Sequence, residues 1–175
     1  MDKRRPIRSR VDAQGPSEAA GDADRFREAL ARWAASVTLV AARDEDGDVH
    51  ATTVSSFAPL SAGPPRVVVC LGAGAQVLPF APKGSPVGVS ILHESQSSWA
   101  SVYADAFPVR SAPWTEGDAP LLPGAVVSLT CTVAEVHASE GGSRILVLDV
   151  NRIDLGDEDR PLLYWQRGYR ELDED

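Results

Sequence analysis

Cysteine, histidine and methionine are scarce in this chain: two, three and one in 175 residues. Cys70 and Cys131 each lie inside apolar, β-branched runs, so both are expected to be buried free thiols rather than a disulfide framework. His50, His93 and His137 are scattered, and nothing in the sequence has metal-ligand spacing. Long apolar runs are missing too. The stretch around Arg66 to Leu71 is far too short to cross a bilayer, so no membrane association is expected. Lys3, Arg4, Arg5, Arg8 and Arg10 make a basic N-terminus, but no apolar segment follows it. A secretory signal is therefore not expected, and a cytoplasmic protein is. Positive charge is also lacking beyond that start. The net charge is −8; the first ten residues carry +4, which leaves −12 for the remainder. A body so acidic repels a phosphate backbone, so no nucleic-acid partner is expected.

The signatures of several enzyme classes are absent as well. Gly72-Ala-Gly74 follows an apolar strand, where a dinucleotide fingerprint would sit. Yet Val77 stands where the third glycine is needed, and Pro79 cuts short any helix. No Gly-x-Ser-x-Gly elbow and no P-loop occurs. Glu45 and Asp46 lie in a turn and read as solubilising charge.

What is present is the composition of one soluble domain, 43% hydrophobic and 24% charged, with enough chain for a single core. Residues 1–22 read as a disordered basic tail, 23–172 as the folded domain and 173–175 as an acidic end. Asp22 or Asp24 is expected to cap a helix over Arg25–Trp33, where Phe26, Ala29, Leu30 and Trp33 share a face. Ser36–Ala42 and Val49–Phe57 read as a hairpin around Asp44-Glu-Asp-Gly47, with the glycine placed for positive φ. Further strands are expected at Arg66–Leu71 and Val87–Leu92. A helix follows over Glu94–Ala104, with Trp99 and Tyr103 on one side. Val127, Leu129, Cys131 and Val133 alternate with polar residues, the period of a half-buried strand. Glu140-Gly-Gly-Ser143 turns the chain into Arg144–Ile153, and Pro161–Trp165 closes the set. About seven strands and two helices in meandering hairpins imply a mostly β fold: an antiparallel, Greek-key-like split β-barrel with a few short helices.

One segment stands out for chemistry. Thr52-Thr-Val-Ser-Ser-Phe57 is a strand dense in hydroxyls. It reads either as an edge strand with exposed threonine or as a row of hydroxyls and N–H groups aimed at a phosphate or heterocycle edge.

The order of pieces resembles the flavin reductase family. Phe26-Arg-Glu-Ala-Leu, Ala34-Ala-Ser-Val-Thr38, Thr53-Val-Ser-Ser-Phe57, Pro64-Pro65 and Val69-Cys-Leu71 follow in sequence. Later come Val89-Ser-Ile-Leu92, Gln96, Trp114-Thr-Glu-Gly, Pro120-Leu-Leu, Cys131 and Pro161-Leu-Leu-Tyr164 with Tyr169. The likeness runs from about Arg25 to Leu172 and is to reductase components of two-component flavin-dependent monooxygenases. It implies a split-barrel homodimer that transfers hydride from NADH or NADPH to free FAD or FMN and supplies the reduced flavin to a monooxygenase. By the same likeness Thr53, Val54, Ser55, Ser56 and Phe57 line the flavin. Cys70, Leu71 and Gly72 run beside its phosphate or ring edge. Ser36 and Val37 sit near the nicotinamide face, and Ser90, Arg144 and Tyr169 complete the cofactor-binding set. No catalytic side chain and no metal is implied. The chain departs from the family pattern at Ala58-Pro59, Ser55, Ala75, Ser90 and Gly142-Ser-Arg144. Those departures fit a flavin-binding module without activity, and two further alternatives stay in view: a split-barrel oxidase of the pyridoxamine phosphate type and a plain interaction barrel that binds no cofactor.

Overall fold

The computed structural model describes residues 16–104 and 112–172. Residues 1–15 of the expected tail, and 173–175, lie outside the described residues. The chain divides into two compact units, one up to Trp33 and one from Ala34 onward.

The first unit is the helix α1, Pro16–Ala31. It starts six residues before Asp22, so the expected tail is too long at that end. A proline in the first turn costs little, because its missing N–H has no intrahelical partner there. The last turn tightens, with Arg32 N–H donating to Ala29 O and Trp33 N–H to Leu30 O. Phe26, Leu30 and Trp33 lie along one side, all exposed. Arg27–Asp24 and Arg32–Glu28 pair along the helix surface.

Among its described residues the second unit holds ten strands, three more than the sequence pattern suggests. β1 is Ala35–Ser36, β2 Thr38–Arg43, β3 Val49–Val54, β4 Ala58–Ala62 and β5 Pro65–Leu71. β6 is Pro86–Ile91, β7 Val127–Ala138, β8 Arg144–Leu155, β9 Leu163–Trp165 and β10 Gly168–Arg170. Seven of them form one antiparallel sheet, ordered β3-β2-β6-β7-β8-β5-β4. Its end strands do not pair with each other, yet Val54 of β3, Val69 of β5, Val89 of β6, Cys131 of β7 and Leu148 of β8 share one core. A sheet whose distant strands bury residues together must curl, and this one is a barrel left open along a side: the split barrel expected.

Every residue of β2 but the last is buried, because both of its faces are covered. Val40 and Ala42 point into the barrel core. Leu39 and Ala41 point into a second cluster with Ala100 and Tyr103 of the helix α2, Ser97–Ala104. The helix expected over Glu94–Ala104 is thus shorter. Its first turn, Glu94–Gln96, is a 3₁₀ turn closed by a reciprocal cap between His93 and Gln96. Gly88 is required by packing: a Cβ there would lie 1.9 Å from the carbonyl oxygen of Pro120.

The strand expected over Ser36–Ala42 is split at Val37, where the chain changes sheets. Ala35 and Ser36 pair with Tyr164 and Leu163 of β9, and from Thr38 onward the partners are β3 and β6. At the change-over Val37 N–H donates to Leu162 O (2.8 Å), Leu162 N–H to Leu92 O (2.8 Å) and Leu92 N–H to Val37 O (2.9 Å). These three buried residues close a ring of backbone bonds. The small sheet β1-β9-β10 hangs from it.

Candidate active site

Two adjoining hollows open beside the hydroxyl-rich strand. The first, about 170 Å³, is lined by Val37, Thr53, Val54, Ser55, Ala104, Tyr164 and Tyr169. β3 supplies one wall, the end of α2 closes it, and the β9–β10 hairpin supplies the other wall. Tyr164 and Tyr169 are direct cross-strand partners, so both rings project from the same face of the hairpin. Their centroids are 5.7 Å apart in an edge-on arrangement. The second hollow, about 220 Å³, is lined by Thr52, Gly72, Gly74, Ala75, Gln76, Tyr103 and Ala104. Ala104 borders both. A Cβ added at Gly72 or Gly74 would meet nothing within 4 Å, so this backbone faces open space and a bulky group can approach it closely.

β3 is an edge strand of the seven-stranded sheet, as one reading of the segment expects, and its hydroxyls have different fates. Thr53 Oγ1 donates to Ala100 O of α2 (2.7 Å). Ser56 Oγ donates to Cys70 O (2.6 Å) and accepts from Cys70 N–H (3.2 Å). These two hydroxyls brace the walls rather than reach into them. Thr52 Oγ1 is buried without a hydrogen-bond partner, on a residue that lines the second hollow. Ser55 is exposed at the lip of the first.

Of the residues the sequence nominated, Val37, Thr53, Val54, Ser55 and Tyr169 come together in the first hollow, and Gly72 lies in the second. Ser36 is paired in β1 and lines neither. Phe57 packs against the barrel core, and Leu71 is buried within it. Ser90 is also buried, and its Oγ accepts from Leu122 N–H (3.0 Å). That bond holds the loop after Pro120 and leaves Ser90 away from both hollows. Arg144 stands opposite Leu71 across the β5–β8 ladder. Its guanidinium donates to Gly142 O and Ser143 O of its own turn. Cys70 is exposed, contrary to the expectation of a buried thiol. The apolar run of β5 covers both faces of the strand, and only Val67, Val69 and Leu71 turn inward. Cys131 is buried as expected, and burial, helped by the charge of Asp149, pushes its thiol up to about 12. Sequence reasoning did not nominate Tyr164 or Tyr103 as wall residues, and raised Thr52 and Gly74 only within the hydroxyl-rich strand and the glycine turn; the pairing of Tyr164 with Tyr169 across a short hairpin was the available signal.

No lining side chain among the described residues is an acid, a histidine, a lysine or an arginine. Nor does any group of three His, Cys, Asp or Glu side chains gather as metal ligands there. Proton transfer at neutral pH and metal-assisted hydrolysis have no agent among these linings. Apolar walls, three tyrosine rings, an exposed hydroxyl and open glycine backbone instead fit a flat, polar-edged ring that brings its own reactivity.

Comparison with known proteins agrees with that chemistry. The reductase component of 4-hydroxyphenylacetate 3-monooxygenase from Thermus thermophilus is 36% identical over 147 residues, covering 84% of this chain and 95% of that protein. An NADH-dependent flavin reductase from a Rhodococcus species is 32% identical over 171 residues, covering 90% and 94%. The solved flavin reductase of styrene monooxygenase from Pseudomonas putida S12 superposes with a TM-score of 0.77 at 28% identity, covering 86% of this chain and 99% of that one. Residues 30–173 match the family described as the flavin reductase like domain, and the chain belongs to that family.

Proposed function

We propose that this chain is an NAD(P)H-dependent flavin reductase: a cytoplasmic homodimer that reduces free FAD or FMN and passes the reduced flavin to a partner monooxygenase. The observation that carries this reading is the neutral, aromatic-walled cleft, which offers binding surface but no acid or base. When bound, the flavin and nicotinamide rings supply the hydride chemistry themselves. The chain's part is to hold two flat rings in register, which alone can account for much of the rate. Val37, Val54, Tyr164 and Tyr169 give apolar surface to a ring, and Ser55 is placed to bond its polar edge. The open backbone at Gly72 and Gly74 leaves room for a phosphorylated tail, with Arg144 on the neighbouring turn. Each hollow is smaller than the roughly 300 Å³ at which pockets for such ligands begin; together they supply room for a ring and the start of its tail. Modest enclosure suits a flavin that is exchanged rather than kept.

The test is oxidation of NADH and NADPH by the purified protein, followed by loss of the reduced-nicotinamide absorbance with FAD, FMN or no flavin added. Oxidation that saturates with a free flavin is expected. Folded protein that binds flavin yet oxidises neither nucleotide would overturn the reductase reading in favour of a binding module.

A further inference from the structure

Four arginines among the described residues are half-buried: Arg43, Arg66, Arg144 and Arg160. A guanidinium keeps its charge at any physiological pH and is all donor, so a half-buried one needs partners. Three of them are provided for. Arg66 pairs with Asp149 at 2.6 Å and Arg160 with Glu94 at 2.8 Å. Arg43 spends Nε, Nη1 and Nη2 on three carbonyls. Arg144 differs. Only its Nη1 is engaged, with Gly142 O at 2.9 Å and Ser143 O at 3.2 Å. No carboxylate among the described residues pairs with it, and Nε and Nη2 are unspent. Those two nitrogens form one edge of the guanidinium plane, with parallel N–H bonds that match two oxygens of a phosphate.

The position of Arg144 connects that free edge to the cleft. Arg144 opens β8 on the inward row that Leu146 and Leu148 continue, opposite Leu71, the last residue of β5. The loop that leaves Leu71, Gly72-Ala-Gly-Ala-Gln76, gives the second hollow most of its lining and carries no charge of its own. The turn braced by the guanidinium lies against this loop: a Cβ on Gly142 would stand 3.1 Å from the Cβ of Ala73. No lining side chain of either hollow is positive. An anion lodged along the open backbone of Gly72 and Gly74 therefore has Arg144, on the adjoining turn, as its counter-charge.

We propose that Arg144 is the phosphate anchor of the cleft: its free Nε–Nη2 edge holds a phosphate group of a bound nucleotide. The proposal rests on the flavin reductase reading above and deepens it, by naming the feature of the substrate that this chain reads. Two substrates carry the same chemistry, the phosphorylated tail of FMN or FAD and the diphosphate of the nicotinamide dinucleotide.

The experiment is fluorescence titration of full-length wild type and Arg144→Gln with riboflavin, FMN, FAD and NADH. Riboflavin has the ring and the hydroxylated chain without the phosphate, so it reports on the rest of the site. With the flavin tail as the source, Arg144→Gln should weaken FMN and FAD about thirtyfold and leave riboflavin within about twofold of wild type. With the dinucleotide as the source, NADH weakens by that factor and all three flavins are spared. Either result supports the anchor and identifies its phosphate. Equal losses for riboflavin and FMN would make Arg144 a structural support of its turn and overturn the anchor, as would four unchanged affinities. Wild type alone decides if the variant fails to fold. Added salt should weaken the phosphate-bearing ligand and spare riboflavin; FMN, FAD and NADH all as insensitive to salt as riboflavin would overturn the anchor. NADH oxidation on the same samples separates the two readings. Oxidation with every flavin, unaffected by Arg144→Gln, removes the anchor and leaves the reductase; phosphate-dependent flavin binding without oxidation does the reverse.

Discussion

The two ends of the β2–β3 ribbon differ in kind. At one end lie the neutral hollows, bounded by Val37, Thr53 and Ser55. At the other, around the turn after Arg43, a larger hollow of about 600 Å³ is lined by Arg43, Asp44, Glu45, Asp46, Pro79, Phe80, Pro82 and Ser85. Size favours the second and chemistry favours the first. Two of the charges at the turn, Arg43 and Asp44, are already engaged. Arg43 donates to the carbonyls of Gly117, Gly47 and Thr115. Asp44 accepts from the N–H groups of Asp46 and Asp48 and bonds to His50. His50 in turn stacks on Phe80, with ring centroids 3.9 Å apart. Those bonds fix a turn, and the remaining lining acids, Glu45 and Asp46, repel an anionic ligand. The neutral end leaves Ser55 exposed, Thr52 Oγ1 unpartnered and glycine backbone open, and unspent capacity is what a ligand can use.

The sharpest way to break this comparison is to fill each hollow. Gly74→Trp places a large ring in open space and should weaken flavin binding by about a hundredfold, close to 3 kcal/mol, by fluorescence titration. Asp46→Trp at the larger hollow should leave flavin affinity within about twofold of wild type. A reversal of the two results would move the site to the turn.

A smaller effect is expected from the brace. Thr53→Val removes the bond to Ala100 O and should cost about 1 kcal/mol in urea unfolding. It should also loosen flavin binding, because α2 ends at the cleft. Loss of stability with unchanged affinity would make the brace purely architectural.

The smallest effect belongs to the turn. The hydrogen bond from His50, ahead of the backbone bonds, holds the Asp44 carboxyl below the usual carboxylate range. A depressed folded pKa stabilises above the unfolded value, and the benefit is lost as pH falls through the folded one. Asp44→Asn should therefore make the acid limb of the stability profile shallower and leave reductase activity near neutrality unchanged. An acid limb identical to wild type would show that the carboxylate does not matter to folding.

The ribbon also shows how far the sequence could be read. The hairpin was legible because its turn residues carry their conformation with them: Gly47 has φ +87°. So was the half-buried strand, with Leu129, Cys131 and Val133 inward. β4 was not, since Ala58-Pro59 opens a strand with residues that disfavour one. Cys70 was misplaced because an apolar run on both faces hides its alternation. One reactive thiol in the native protein and a second only in denaturant would check that correction. Half of the nominated cleft could be named from the order of motifs. The destinations of the Thr53 and Ser56 hydroxyls could not, because their partners lie 47 and 14 residues away in the chain.

The ring of backbone bonds joining Val37, Leu92 and Leu162 has a mechanical meaning. Each residue gives one bond and takes one, so no strand can peel from the junction without loosening the other two. The base of the tyrosine hairpin is therefore tied to the barrel at Leu162. The amides of these three residues should be among the slowest in the protein to exchange with deuterium, released together when the whole domain opens.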